Sequence, residues 1–281
     1  MAARPLASAP ALPRRPADDW LRLIGAGGSM LALVILGASM LLRLATLLGS
    51  DGQPISTLPA AMETALRLSH RIAAAGVGVL AACAILLCWS RRLFSSAFGP
   101  PVVSLVTATV ILALIGPLTP GYRFATITIG NVVGGMALLM AFWWLRELAT
   151  DVSAGRPRTD RLIRATVFIF LAHVATGAAA SAQEMHGMRG LAFAHLGTAL
   201  LVVMFVGACA WHTRGEIALA GCSGAISVLL VAQAATGLGL MFLVARPLWL
   251  SFVHGMLSPL LALALVSLAI RSARIERQPL T

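Results

Sequence analysis

Long apolar runs constrain this chain more than any other feature. Eight of them cover approximately residues 21–44, 67–89, 101–118, 123–145, 162–182, 191–212, 217–244 and 248–270. A bilayer core about 30 Å thick needs roughly 20 apolar residues to be crossed as a helix. A helix also satisfies its own backbone polar groups, which lipid cannot do. The runs therefore predict an all-α polytopic membrane protein with eight transmembrane helices.

The overall composition excludes an ordinary soluble domain. Of the 281 residues, 59% are hydrophobic and 11% are charged, and the mean hydropathy is +0.90. The net charge of +11 comes from arginine, because the sequence contains no lysine. In a soluble protein this charge would suggest a nucleic-acid partner, but in a membrane protein it is typical of loops on the cytoplasmic side. We therefore expect membrane lipid around the chain and no nucleic acid.

The distribution of arginines predicts the orientation in the membrane. With the N-terminus in the cytoplasm, fifteen of the 21 arginines fall on the cytoplasmic side. The six on the outer side are Arg43, Arg67, Arg71, Arg123, Arg189 and Arg246. Since positive residues are retained on the cytoplasmic side, both termini are predicted to be cytoplasmic. The first apolar run is too long for a signal peptide, so we expect an uncleaved helix.

A polar connection after the fourth run divides the chain into two halves. The predicted segments are a disordered tail (1–19), a first four-helix half (20–146), a linker (147–161), a second four-helix half (162–271) and a short tail (272–281). The four cysteines form no CxxC pair and lie in or beside apolar runs. A disulfide or zinc site is therefore not expected.

Three histidines and one asparagine stand at matching places in the two halves. His70 lies near the start of the second span, and His195 lies near the start of the sixth, 125 positions later. His254 lies near the start of the eighth span, and 123 positions earlier the fourth span carries Asn131. The halves are therefore interpreted as repeated four-helix bundles, with these four residues in the outer half of the membrane.

The two histidines of the second half predict a specific chemistry. His195 and His254 begin helices that run in the same direction, so their side chains lie at similar depth. Two neutral imidazoles that face each other across a bundle are the arrangement that bis-histidine ligation of a heme needs. A single histidine in a membrane helix can simply hydrogen-bond a carbonyl, but repeat-related positions favour a function. The remaining histidines are interpreted as structural or solvated: His173, His186 and His212.

Five short motifs carry a likeness to a known family. They are Arg43-Leu44-Ala45-Thr46 followed by Gly49-Ser50, Ser69-His70-Arg71, His195-Leu196-Gly197, Gln233 within VAQAATGLG, and His254-Gly255. Their order and spacing resemble those of the heme A synthases, which are cytochrome oxidase assembly proteins. The resemblance covers approximately residues 20 to 270.

The resemblance implies an oxidoreductase that converts a methyl group of heme O to the formyl group of heme A. The second half would bind a b-type heme between His195 and His254, and the first half would hold heme O at His70. It also implies a bacterial inner membrane, with both heme sites toward the outer face. The implied partners are heme O synthase, terminal oxidase subunits and an electron donor. The heme supplies the oxidative chemistry, and the protein supplies ligands and orientation.

The first half departs from the family pattern at two positions. Arg67 stands where the family has a glutamate, with Glu63 as the nearest acid, and Asn131 stands where the family has a histidine. Arg67 and Arg71 are interpreted as partners of heme propionates, because guanidinium groups suit carboxylates. The alternative is that both arginines snorkel to the membrane interface. The outer loop also lacks the cysteine pair of some members.

Three functions remain open from the sequence. The first is a divergent heme A synthase, with His70 and Asn131 at the reaction site. The second is a non-catalytic heme-binding relative that acts in heme handling or oxidase assembly. The third is an unrelated transporter or structural bundle, which repeated halves would also suit, although no span is visibly broken at mid-membrane.

Overall fold

Eight helices make up almost all of the structure, a computed structural model that describes residues 16–48, 54–118, 125–150, 160–185, 191–243 and 247–275. They are α1 (Pro16–Leu44), α2 (Ala60–Ser90), α3 (Gly99–Ile115), α4 (Ala125–Leu148), α5 (Asp160–Met185), α6 (Ala192–Thr213), α7 (Ile217–Phe242) and α8 (Leu248–Ile275). Each is long and apolar enough to cross a membrane. The prediction of an all-α polytopic membrane protein is confirmed.

The helices are apolar on both faces, but the two faces carry side chains of different size. On α2 the buried residues are Ala73, Val77, Ala81, Ala84 and Cys88, which recur at the spacing of one helical face. These small side chains let neighbouring helices approach closely. On the opposite face Val79 and Leu86 are 62% and 68% exposed. Exposed aliphatic side chains suit a lipid solvent, so the pattern is that of an integral membrane protein.

A small hairpin between α1 and α2 was not anticipated from the sequence. Strands β1 (Thr46–Leu48) and β2 (Pro54–Ser56) pair antiparallel, with Thr46 opposite Ser56. Thr57 ties the hairpin to the end of α1, because its N–H and its hydroxyl both donate to the carbonyl of Ala45, at 2.8 and 2.9 Å. Helix α2 then begins directly after Pro59, earlier than the predicted start near residue 67.

Each set of four consecutive helices packs as a closed ring. In the first, α1 contacts α2 and α4, and α3 contacts the same two helices. In the second, α5 contacts α6 and α8, and α7 contacts α6 and α8. The rings meet where α4 contacts α5 and α8, and where α8 contacts α1. A pseudo-two-fold axis between α4 and α8 relates these contacts. Rotation about it carries α4 onto α8 and α5 onto α1, so the α4–α5 contact is equivalent to the α8–α1 contact.

Equivalent positions of the two halves meet near this axis. Trp143 Nε1 donates to Ser267 Oγ at 2.7 Å, and Arg271 Nε donates to a carboxylate oxygen of Glu147 at 2.9 Å. In each pair the two residues are 124 positions apart in the sequence. The offsets between the matching histidine and asparagine positions are 125 and 123, so the three values agree within one residue. A two-fold axis brings each position against its own counterpart, so these contacts are those expected of a duplicated unit.

Glu147 is the buried charge of this interface. Its side chain is fully buried, and it accepts from Arg271 and, at 2.5 Å, from Arg146 Nη1. The sequence analysis placed residue 147 at the start of the polar linker, but α4 continues to Leu148. A carboxylate with two guanidinium partners can be buried because its lone pairs are satisfied.

Candidate functional site

The two histidines of the second half each lie against a glycine of the preceding helix. A Cβ atom added to Gly177 of α5 would lie 2.8 Å from His195 Cε1 on α6. A Cβ atom added to Gly237 of α7 would lie 3.0 Å from His254 Cε1 on α8. Real Cβ contacts are longer than this, so glycine is what leaves room for each imidazole. Both hairpins therefore seat a half-buried histidine in the same way.

Thr236 lies against one ring nitrogen of His254. Its hydroxyl is within hydrogen-bond distance of the carbonyls of Ala232 and Gln233, at 2.8 and 3.1 Å, and its oxygen lies 3.0 Å from His254 Nδ1. In the tautomer that donates from Nδ1 to this oxygen, the neutral ring carries its free lone pair on Nε2. A histidine ligand whose other nitrogen donates to a neighbour has the usual arrangement of a metal-binding imidazole.

His173 belongs to the same region, although the sequence analysis interpreted it as structural or solvated. It is 5% exposed, and its ring stacks on that of His195 with centroids 4.3 Å apart and planes 9° apart. The structure thus brings a third histidine of the second half against one of the two candidate ligands.

A repeat within the second half is the sequence signal that could have found His173. The pattern His173-x-x-Thr176-Gly177 on α5 recurs sixty positions later as Gln233-x-x-Thr236-Gly237 on α7. The two hairpins, α5–α6 and α7–α8, are therefore similar to each other. At the longer period that relates the two halves, His173 has no histidine counterpart.

Equivalent hydrogen bonds support the likeness of the two hairpins. His173 Nδ1 lies 3.0 Å from Thr198 Oγ1, and Gln233 Nε2 donates to Ser258 Oγ at 3.0 Å. Each contact spans 25 residues and joins the first helix of a hairpin to the second. Gln233 is 8% exposed, and its Oε1 has no hydrogen-bond partner among the described residues. A buried acceptor of this kind marks a place where a bound group or water can donate.

The candidates of the first half have different surroundings. His70 is half-buried on α2, next to an exposed Arg71. Arg67 is exposed and donates to Glu63, from Nε at 2.9 Å and from Nη2 at 2.6 Å. The guanidinium group of Arg67, which the sequence predicts to bind a heme propionate, therefore already has a partner one turn earlier on α2. Asn131 is half-buried on α4, beside the close approach of that helix to α3 at Gly130.

His186 lies outside the described residues, and His212 lies away from these positions. His212 is exposed near the other end of α6, where its Nδ1 lies 2.8 Å from the carbonyl of Ala208. This contact within its own helix gives His212 a local structural role.

The donor set of the second half is of the kind that a heme requires. Among the described residues, no group of three or more His, Cys, Asp or Glu side chains could hold a metal ion. A heme needs fewer protein ligands, because the macrocycle itself surrounds the iron and the protein adds axial ligands. His195 and His254, each beside a glycine of the preceding helix, are the candidate axial ligands.

Comparisons with known proteins add no assignment. The chain matches no protein-family model and no curated protein. The functional interpretation therefore depends on the residues and contacts described above.

Proposed function

We propose that this chain is a membrane protein that binds a b-type heme through His195 and His254. The observation that carries the proposal is the pair of imidazoles, one from each hairpin of the second half, each seated against a glycine. The contact at His254 adds support, since the tautomer that donates from Nδ1 to Thr236 leaves Nε2 available as a ligand. Such a heme would supply one-electron redox chemistry.

The reaction that this site would serve is that of a heme A synthase-like oxidoreductase. Heme O is the proposed substrate, and its methyl group becomes the formyl group of heme A for cytochrome oxidase assembly, a four-electron oxidation that needs an external oxidant such as dioxygen. The support is the resemblance of the motifs around His70, His195 and His254. In this proposal His70 holds the substrate with Asn131 opposite, and Arg71 stays available for a propionate. Arg67 reaches a propionate only by leaving Glu63.

The proposed setting follows from the arginine distribution and the resemblance. Both termini are cytoplasmic, and the two heme sites lie toward the outer face of a bacterial inner membrane. Heme O synthase, terminal oxidase subunits and an electron donor are the proposed partners.

A second candidate is a non-catalytic heme carrier in oxidase assembly. Two observations on the first half favour it. Arg67, at the position where the family has a glutamate, is paired with Glu63. Asn131 offers an amide where the family has an imidazole, and imidazole suits iron better. A chain with these residues could hold a heme in its second half without oxidising a substrate in its first.

Heme extraction from a host that lacks heme A but makes heme O tests both candidates. Heme A in the chromatogram after expression of this chain would support the synthase. Heme B or heme O alone, with a bis-histidine spectrum that His195→Ala abolishes, would support the carrier. A purified chain without a Soret band would contradict both. His212→Ala is the matched control, because His212 lies near the far end of the same helix and is expected to keep the spectrum.

A further inference from the structure

The two hairpins of the second half restrain their histidines by different means. Both use a glycine to make room, and both use a polar residue one turn earlier to bond a hydroxyl on the next helix. At that polar position, however, α5 has an aromatic imidazole and α7 has an amide. The difference between His173 and Gln233 is therefore a difference in what lies beside the two candidate ligands.

The ring of His195 is bounded by two residues one turn apart on α5. Gly177 lies at one side of the ring, and a Cβ atom added to it would lie 2.8 Å from His195 Cε1. His173 stacks on the ring at 4.3 Å with nearly parallel planes. Rotation of His195 about its Cβ–Cγ bond would break this stack or drive the ring into α5. The plane of His195 is thus restrained by packing on a neighbouring face.

His173 is itself held in place. Its Nδ1 lies 3.0 Å from Thr198 Oγ1, and that hydroxyl lies 3.0 Å from the carbonyl of His195 and 2.9 Å from Thr176 Oγ1. His173 is also buried, so packing on all sides holds its ring as well. A ring that its surroundings hold in place can restrain a second ring, whereas a mobile ring could not.

The ring of His254 has different neighbours. Thr236 Oγ1 lies 3.0 Å from His254 Nδ1, and Gln233 Nε2 donates to Ser258 Oγ without presenting an aromatic face. A hydrogen bond at the second nitrogen fixes the plane of a ligand ring. At His195 the contact that α5 supplies is the stacked ring of His173.

We propose that His173 is a positioning residue that sets the plane of the His195 imidazole. This inference rests on the proposed heme ligation by His195 and His254, and it assigns to His173 no bond to iron. The consequence is spectroscopic, because the angle between two axial imidazole planes sets the anisotropy of the electron paramagnetic resonance spectrum of a low-spin ferric heme. Loss of the stack frees one plane and changes that angle.

The test compares variants of the full-length, heme-loaded chain. His173→Ala removes the stacked ring, and His173→Phe keeps an aromatic face while losing the hydrogen bond to Thr198. For His173→Ala we expect bis-histidine absorption to persist, g values to shift or broaden, and heme affinity to fall by about tenfold. For His173→Phe we expect g values close to those of the parent chain. His212→Ala is the control and should match the parent in every measurement.

A measurement without heme separates this inference from the proposed function. Carbon-13 labelling of histidine allows the Cε1–H signal of His195 to be followed in the heme-free chain, after assignment with His195→Gln. A stacked ring shifts that signal, so His173→Ala should move it and His173→Phe should largely restore it. If the parent chain binds no heme, the proposed function fails, and this signal alone decides whether His173 positions His195.

Three results would overturn the role of His173. One is an unchanged electron paramagnetic resonance spectrum in a heme-loaded His173→Ala variant. Another is complete loss of heme from His173→Ala while the variant keeps the thermal stability of the parent, since that would make His173 a ligand. The third is an unmoved Cε1–H signal of His195 in the heme-free variant.

Discussion

The two halves of this protein share a helix arrangement but differ at the positions where a ligand would bind. In the second half, His195 and His254 each have a glycine beside the ring and polar neighbours on the adjacent helix. In the first half, His70 stands beside Arg71, and Asn131 takes the place of a fourth histidine. Many small apolar contacts maintain a duplicated bundle, whereas a ligand site depends on a few polar residues. The same fold can therefore keep one site and alter the other.

The glutamate–arginine pairs show the same contrast. Glu63 and Arg67 lie one turn apart on the surface of α2, with Arg67 56% exposed. Glu147 and Arg271 join the two halves, with Glu147 fully buried. An exposed pair contributes little to stability, but a buried carboxylate depends on its partner.

The largest effect is expected from the candidate ligands. His195→Ala and His254→Ala should each remove nearly all heme of the second half, because bis-histidine ligation loses one of its two iron bonds. His70→Ala should leave that heme in place. The ratio of heme to protein, measured by pyridine hemochromogen, checks this. Equal heme loss in all three variants would show that the two halves do not bind independently.

The next effect concerns the buried ion pair. Arg271→Met removes the bidentate partner of Glu147 and should lower the free energy of unfolding in detergent by about 3 kcal/mol. The double variant Glu147→Gln with Arg271→Met should recover much of that loss, since it removes the buried charge that Arg146 alone would otherwise have to balance. Glu63→Gln is the matched control and should barely change the thermal midpoint. A loss as large in Glu63→Gln would remove the distinction between the two pairs.

A smaller effect is expected when the space beside each histidine is filled. Gly177→Ala and Gly237→Ala place a methyl group against the ring of His195 or His254. Each should weaken heme binding by roughly tenfold, the size typical of outer-shell changes at metal sites. Gly197→Ala is the control, because a Cβ there meets nothing within 4 Å. Heme titration followed at the Soret band gives the affinities, and equal values for all three variants would refute the role of the glycines.

The smallest effect is expected from introducing a histidine at position 131. Asn131→His supplies an imidazole at the position that matches His254 and should add a second heme to some fraction of the chains. The gain in heme content should be partial, because Arg67, one turn before His70 on α2, remains paired with Glu63. Heme content per chain and heme A formation in the heme O host measure it. If neither changes, the first half lacks a heme site altogether.

The sequence by itself determined the number of membrane-spanning helices. A bilayer requires about 20 apolar residues for each helix, so the length of each run was enough to predict eight spans, and their observed bounds differ mainly at the ends. It also located His195 and His254 near the starts of α6 and α8. The hairpin formed by β1 and β2 escaped prediction, because strands of three residues have too little pattern to recognise.

Only the tertiary structure decided which side chains meet. Glu147 reads as the first residue of a polar linker, yet it is buried against Arg271, 124 positions away. His173 reads as an isolated histidine in mid-helix, yet it stacks on His195. Spacing along a helix defines its faces, but the rotation and approach of two helices determine which faces touch. In a membrane bundle both faces of each helix are apolar. The fit of small residues and glycines, together with a few hydrogen bonds, therefore determines which faces pack against each other.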